Sequence, residues 1–298
     1  MEFKHVSVLR GEVVKLLALN PGDVVVDGTL GGGGHAEAIL EAISPGGQLL
    51  GIDADPNALE AAELRLKRFG EEIILVKSNY REVESYLEKY GLDNISAFLL
   101  DLGLSSHELE TADRGFSFLK EGPLDMRFSS DQELTAGEIV NSWPPEKLED
   151  LFRRYGDEKF AKRIAFTIAA KRRDQEIATT TALAALIKNA VPRTHDKIHP
   201  ATRVFQALRI ATNDELGALQ EVLPKFVRHL KPGGKIAIIS FHSLEDRIVK
   251  QFFVEEEKAG RLRRVTKKPV VPSPDETAQN PRARSAKLRV AEKTGGGN

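Results

Sequence analysis

Asp27 stands between three valines and a stretch in which Gly28, Gly31, Gly32, Gly33 and Gly34 fill five of seven positions. Valine favours a buried strand, whereas glycine tolerates positive φ and lets backbone N–H groups approach a ligand at the start of a helix. Ala36, Ile39, Leu40 and Ile43 then follow at i, i+3, i+4 and i+7, the apolar stripe of that helix. Gly31, Gly33 and Ala36 fit a relaxed G-x-G-x-x-A dinucleotide fingerprint, and Asp53, about 20 residues on, ends a second strand where a carboxylate grips ribose hydroxyls. Asp27 favours another ligand. A carboxylate there would repel a pyrophosphate but suits the α-ammonium of S-adenosylmethionine. A methyl donor, a dinucleotide and a purely structural glycine turn are the three readings of this stretch.

Asp101 ends a further apolar strand at 97–100, and strands one and four are neighbours in the usual order of such sheets, so Asp27 and Asp101 should both border the ligand. His35 begins the helix after the glycines; its backbone N–H is the favoured ligand contact, with the imidazole capping the turn. His242 follows the strand at 235–240, with Ser243 and Asp246 nearby, and is either a helix-start residue or a substrate contact. No two histidines share metal-ligand spacing with a carboxylate, so no metal centre is expected.

The elements that position these residues alternate regularly. Residues 5–17 read as a short entry segment followed by a helix before the first strand, Asp55-Pro56 caps a further helix, 73–76 forms a third strand and 83–90 another helix. Near-continuous apolar strands between amphipathic helices specify an α/β fold with a mostly parallel sheet covered on both faces. The next strand begins 134 positions beyond Asp101, far more than a simple crossover of roughly 30 residues requires. A small all-helical domain is therefore inserted, with helices around 136–141, 145–155, 158–173, 179–190 and 202–211. The boundaries read as 1–105 and 206–298 for the discontinuous sheet domain and 106–205 for the insertion. After a helix to about Lys258, residues 262–271 and 286–290 are two strands that pair at the sheet edge.

With 298 residues and 41% hydrophobic content, the chain can bury one large core or two modest ones. The absence of cysteine excludes disulfides, thiolate zinc sites, iron–sulfur clusters and a cysteine nucleophile. No apolar run reaches the roughly 18 residues of a membrane span and the first residues lack a signal-peptide core, so a cytoplasmic protein without membrane partners is expected. The net charge of −1 hides an asymmetry: residues 258–298 carry eleven Lys and Arg against three acids, a net +8, while 1–257 sum to −9. That tail is either a polyanion contact or a solvated basic surface.

Longer blocks carry a resemblance: HVSVL at 5–9, DGTLGGGGH, LLDLGLSS at 99–106, RGFSF, PLDMR, KIHPATRVFQALRIATNDEL at 197–216, SFHSLEDRIVK at 240–250 and NPRARSAKLRV at 280–290. From residue 5 to 290 the chain resembles the bacterial RsmH family, also called MraW. The resemblance implies a class I, Rossmann-like, S-adenosylmethionine-dependent methyltransferase acting on N4 of a cytidine in the decoding centre of 16S rRNA, within the small ribosomal subunit or a late assembly intermediate. The family's cofactor pattern falls on Gly33, Gly34, His35, Asp53, Tyr80 and Asp101, and on Glu108 where glutamine is expected. Ser7 replaces a usual proline, and Tyr80 keeps the stacking face of a common phenylalanine. Asp101, or the neighbouring Leu102 carbonyl, is the expected hydrogen-bond acceptor for the amine, with Asp101 the expected catalytic residue and His242 beside it. On the substrate side, Asp125 and Arg127 form a loop ion pair or hold RNA, Phe241 or Phe116 stacks on the base, and Arg282 and Arg284 meet phosphates. A dinucleotide-dependent oxidoreductase and a non-catalytic RNA-binding module are the competing readings.

Overall fold

The computed structural model describes residues 7–104, 109, 111–192 and 199–295. The chain forms two compact units, Met1–Ser105 with Leu216–Asn298, and Ser106–Glu215.

In the first unit, seven strands form one sheet in the order β3-β2-β1-β4-β5-β7-β6. The strands β1 (Val24–Asp27), β2 (Gln48–Asp53), β3 (Ile73–Lys77), β4 (Ile95–Asp101) and β5 (Leu230–Ser240) are parallel. The strand β7 (Lys287–Lys293) runs antiparallel to both β5 and β6 (Leu262–Arg264). This is the Rossmann-like, mostly parallel sheet with inserted helices that the strand pattern predicts.

Alternate residues of the strands feed two cores. Val25, Leu49, Ala97, Leu99, Ala237 and Ile239 face one side, with α1 (Arg10–Leu17), α2 (Gly34–Ile43) and α3 (Pro56–Leu66). Val26, Leu50, Phe98, Leu100, Ile236 and Ile238 face the other, with α4 (Val83–Tyr90), α10 (Glu215–His229) and α11 (Ser243–Lys258). Phe98 stacks on Phe226 at 4.1 Å between ring centroids. Both rings are fully buried, each contributing roughly 1.5–3 kcal/mol.

Two details differ from the pattern-based expectation. The strand expected at 235–240 starts at Leu230, because Leu230 pairs with Ile95 and Lys235 with Ala97, leaving 231–234 bulged around Gly233 at φ 78°. The stretch expected as one long strand at 262–271 pairs as β6, bulges where the Val265 and Thr266 N–H groups both donate to the Val290 carbonyl, and bridges Leu288 again at Val270; Pro269 has no N–H to donate. The connection to β7 contains the helix α12 (Pro274–Gln279) and a tight turn at Pro281–Ser285.

The inserted unit holds α5 (Ala136–Ser142), α6 (Pro145–Gly156), α7 (Ala161–Asp174), α8 (Thr180–Ala190) and α9 (Ala201–Asn213). Thr135 and Thr179 cap α5 and α8 through their side-chain oxygens. The insertion runs to Glu215 rather than to 205. The helix α9 is unbroken, packs against α6 and ends only where Asp214 turns left-handed at φ 48°. At Gly156 a Cβ would come within 2.6 Å of the Arg203 carbonyl oxygen, so the close approach of these two helices requires glycine.

Candidate active site

The carboxyl ends of β2, β1, β4 and β5 lie side by side, strands about 4.8 Å apart, and carry Asp53, Asp27, Asp101 and Ser240. After Asp27 the chain turns beneath Tyr80: the Gly28 N–H donates to the Leu99 carbonyl at 2.9 Å, and a Cβ at Gly28 would lie 2.6 Å from Leu100 Cδ2 and 3.0 Å from Tyr80 Cβ. Gly31 and Gly33 take φ of 52° and 77°. The Gly33 N–H closes the turn on the Leu30 carbonyl, and Gly33 is the N-cap of α2. A Cβ on Gly34 would overlap Ser7 Oγ. The turn is held by an acid: Gly31 N–H donates to Asp53 Oδ2 at 2.7 Å, and Asp55 N–H to Asp53 Oδ1 at 2.9 Å.

Asp27 is 1% exposed. Its Oδ1 accepts from Thr29 N–H at 3.2 Å, while its buried Oδ2 has no partner in the protein. Burial pushes this carboxyl up to about 7, against the lowering influence of His35 and the Thr29 N–H. Burial likewise raises Asp53 to about 6, opposed by the N–H groups of Asp55 and Gly31. Asp101 donates its own N–H to Thr29 Oγ1 at 2.5 Å and keeps a buried, unpartnered Oδ1. The buried His35 imidazole places Nε2 3.5 Å from Asp101 Oδ2, and neither ring nitrogen makes a hydrogen bond.

Two buried carboxylate oxygens without donors at adjacent strand ends call for a cationic, hydrogen-donating ligand. An amine bearing a nearby positive charge satisfies them. A pyrophosphate does not, because it would meet Asp27 and would find the Gly31 N–H already bonded to Asp53. The residues present therefore fit S-adenosylmethionine: Asp27 and Asp101 for the cationic portion, Asp53 for a ribose diol, and the face of Tyr80 for a ring.

On the β5 side, His242 is the N-cap of α11 in a capping box. Its Nδ1 accepts from Glu245 N–H at 3.4 Å, and Glu245 Oε2 accepts from the N–H groups of Phe241 and His242 at 2.8 and 3.2 Å. Of the two readings of His242, this geometry supplies the helix-start role. Phe241 is half-buried and lies over Gly103, which has φ 107°. Asp246 is held by Arg289 at 2.6 Å and Lys287 at 3.2 Å.

In the inserted unit Arg127 clamps Asp125 through Nε and Nη2, both at 2.8 Å, and donates Nη1 to the carbonyls of Ser130 and Gln132. That bonding ties the guanidinium to its own loop. Phe116 is buried against Phe128. Several tail cations are also engaged: Arg261 with Glu256, Arg263 with Glu292 and Arg264 with Glu257. Arg282 and Arg284 stand exposed on the Pro281–Ser285 turn. Glu108 lies outside the described residues.

Sequence reasoning passed over Thr29, Ser240 and Glu245. Thr29 links Asp27 to Asp101, and the Ser240 hydroxyl is buried at the strand edge without a partner. Glu245 sits three residues after an N-cap, the capping-box spacing, but a histidine in the cap position hides the signal.

The sequence profile described as the MraW methylase family matches residues 2–294. The chain is 46% identical to the protein named ribosomal RNA small subunit methyltransferase H of Heliobacterium mobile, over 98% of this chain and 100% of that one. It is 49% identical to the protein of the same name from Geobacter sulfurreducens, again over 98% and 100%. Among solved structures it is similar to a putative rRNA-methylase from Clostridium thermocellum, at 12% identity and a TM-score of 0.49, covering 97% and 98% of the two chains. Among the described residues no helix is long and apolar enough to cross a membrane.

Proposed function

The chain belongs to the MraW methylase family, and from that premise we propose that it methylates N4 of a cytidine in the decoding centre of 16S rRNA, within the small ribosomal subunit or a late assembly intermediate. It is an S-adenosylmethionine-dependent methyltransferase. The observation that carries the reading is the pair of unpartnered, buried carboxylate oxygens of Asp27 and Asp101 at neighbouring strand ends.

Bound there, S-adenosylmethionine supplies a methyl group carried on a positively charged sulfur. Asp27, Asp53 and Tyr80 hold and orient it, with the backbone of Gly33, Gly34 and His35. Asp101 serves the acceptor. The lone pair of cytosine N4 is delocalised into the ring, so the amine is a weak nucleophile until something draws it toward tetrahedral geometry. An Asp101 carboxylate accepting its hydrogen bond does this and stabilises the positive charge that develops as the methyl arrives. Attack on C5 normally begins with a cysteine adding to the ring, and the chain has no cysteine. Phe241 supplies a face for the extruded base beside Gly103, and His242 borders it. Arg282 and Arg284 contact phosphates, and Asp125 with Arg127 shapes the RNA-facing loop.

The test is nucleoside mass spectrometry of small-subunit RNA after incubation with isotopically labelled donor. N4-methylcytidine carrying the label is expected. Label on C5, on a ribose oxygen, or nowhere would overturn the assignment.

A further inference from the structure

The helix α7 shows two unlike sides. Ala161, Ile164, Ala165, Ile168 and Ala169 are buried. On the other side Lys162, Arg163, Phe166, Ala170 and Arg173 are exposed, Phe166 by 43%. Positions 162, 166, 170 and 173 follow helical spacing, so the phenylalanine stands between cations along a strip about 16 Å long.

What sets this face apart is that its charges are unmatched. The exposed arginines of the neighbouring helix α6 are neutralised within one turn, Arg153 by Glu149 and Arg154 by Asp150. Arg172 is turned inward, donating to the carbonyls of Val140 and Trp143 at the end of α5. Among the described residues, by contrast, Lys162, Arg163 and Arg173 make no ion pair. An exposed aromatic between unpaired cations matches a polyanion with stacking faces: cations take phosphates, and a ring takes an unstacked base.

We propose that the outer face of α7 is a docking surface for rRNA, with Lys162, Arg163 and Arg173 on backbone phosphates and Phe166 against a splayed base. This deepens the rRNA reading above and rests on it. The inserted unit then contributes affinity for the RNA through a surface made wholly of its own residues, independent of the donor site.

The test measures binding of protein-free 16S rRNA at several salt concentrations. Lys162→Ala/Arg163→Ala/Arg173→Ala should flatten the slope of log affinity against log salt by about 2, at roughly 0.7 per single-strand phosphate contact. Phe166→Ala should weaken binding roughly tenfold with the slope unchanged, and Phe166→Trp should restore it. Arg153→Ala/Arg154→Ala, on the neutralised helix, should bind as wild type. Donor affinity, measured by calorimetry, should be unchanged in all of them. If the triple variant keeps both wild-type affinity and slope while the wild type labels rRNA, this surface is a plain solvated face. A defect confined to intact subunits and missing on naked RNA would mark a protein partner and equally overturn the proposal. A wild type that labels no rRNA would instead overturn the function from which it starts.

Discussion

The imidazole of His35 faces the Asp101 carboxylate, with Nε2 3.5 Å from Oδ2, and both ring nitrogens are buried without a hydrogen bond. One carboxylate thus adjoins a histidine on one oxygen and offers the other to a ligand. Asp101 is proposed to contact donor and acceptor alike, so its two roles must be measured apart. Asp101→Ala should lower the single-turnover rate at saturating donor by about 100-fold, the scale of a lost electrostatic contact in a transition state, and lower donor affinity by less. Calorimetry and rapid-quench kinetics on the same variant separate the two. A donor-saturated variant running at the normal rate would remove Asp101 from the chemistry.

Donor binding should depend on pH through Asp27. Its carboxyl is raised by burial to about 7 in the folded protein, so below that value a proton must leave before a cation can pair with it. Affinity should fall by close to tenfold per pH unit below about 7 and level off above. Calorimetry in buffers of different ionisation enthalpy should record proton release, absent in Asp27→Asn. The stability of the ligand-free protein moves the opposite way: folded values of about 7 for Asp27 and about 6 for Asp53 exceed the ordinary 3.8, so these groups cost stability as pH rises from about 4 to 7. Asp27→Asn should therefore stabilise the ligand-free protein at pH 8 relative to pH 4. Urea titrations across that range check the sign.

Gly28→Ala should be disruptive although alanine is small. Its Cβ would meet Leu100 Cδ2 at 2.6 Å and Tyr80 Cβ at 3.0 Å, and overpacking of this kind costs about 1–3 kcal/mol. With Tyr80 proposed to hold the cofactor, donor affinity should fall along with the denaturation midpoint. A variant with wild-type values for both would show that the turn yields freely.

Glu245→Ala removes the acceptor for two backbone N–H groups, those of Phe241 and His242. The expected loss is about 1–3 kcal/mol of stability, together with lower turnover at unchanged donor affinity, since the residues it arranges are those proposed to serve the acceptor. Glu245→Gln, which keeps an acceptor oxygen, should recover much of both.

The scaffold of the site was legible because each parallel strand is an apolar run closed by a chemically distinct residue, as in residues 24–27 and 95–101. The helices of the insertion were legible in outline, at about 136–141, 145–155, 158–173, 179–190 and 202–211. What could not be read were partnerships across the chain. Nothing in the local pattern says that Arg172 caps α5, that Arg289 and Lys287 hold Asp246, or that Arg261 and Arg264 are matched by acids of α11. The basic tail reads as strongly cationic in composition, yet much of its charge is balanced within the fold. Thr29 was illegible for a related reason: its role depends on β1 and β4 being neighbours, a fact of topology.

The pairing of β4 with β5 joins residues 138 positions apart, Asp101 with Ile239 and Ala97 with Lys235. Closing so long a loop costs only about 1 kcal/mol more than closing an ordinary crossover of about 30 residues, so equilibrium stability hardly registers the insertion. Folding kinetics should. Contacts of such separation are the slow ones, and a 110-residue compact unit can settle on its own local contacts first. The seam that sets Asp101 beside Ser240 is then expected among the last to gain protection in pulsed hydrogen exchange during refolding. Donor-binding capacity should appear with that late phase rather than with the earlier gain of helix.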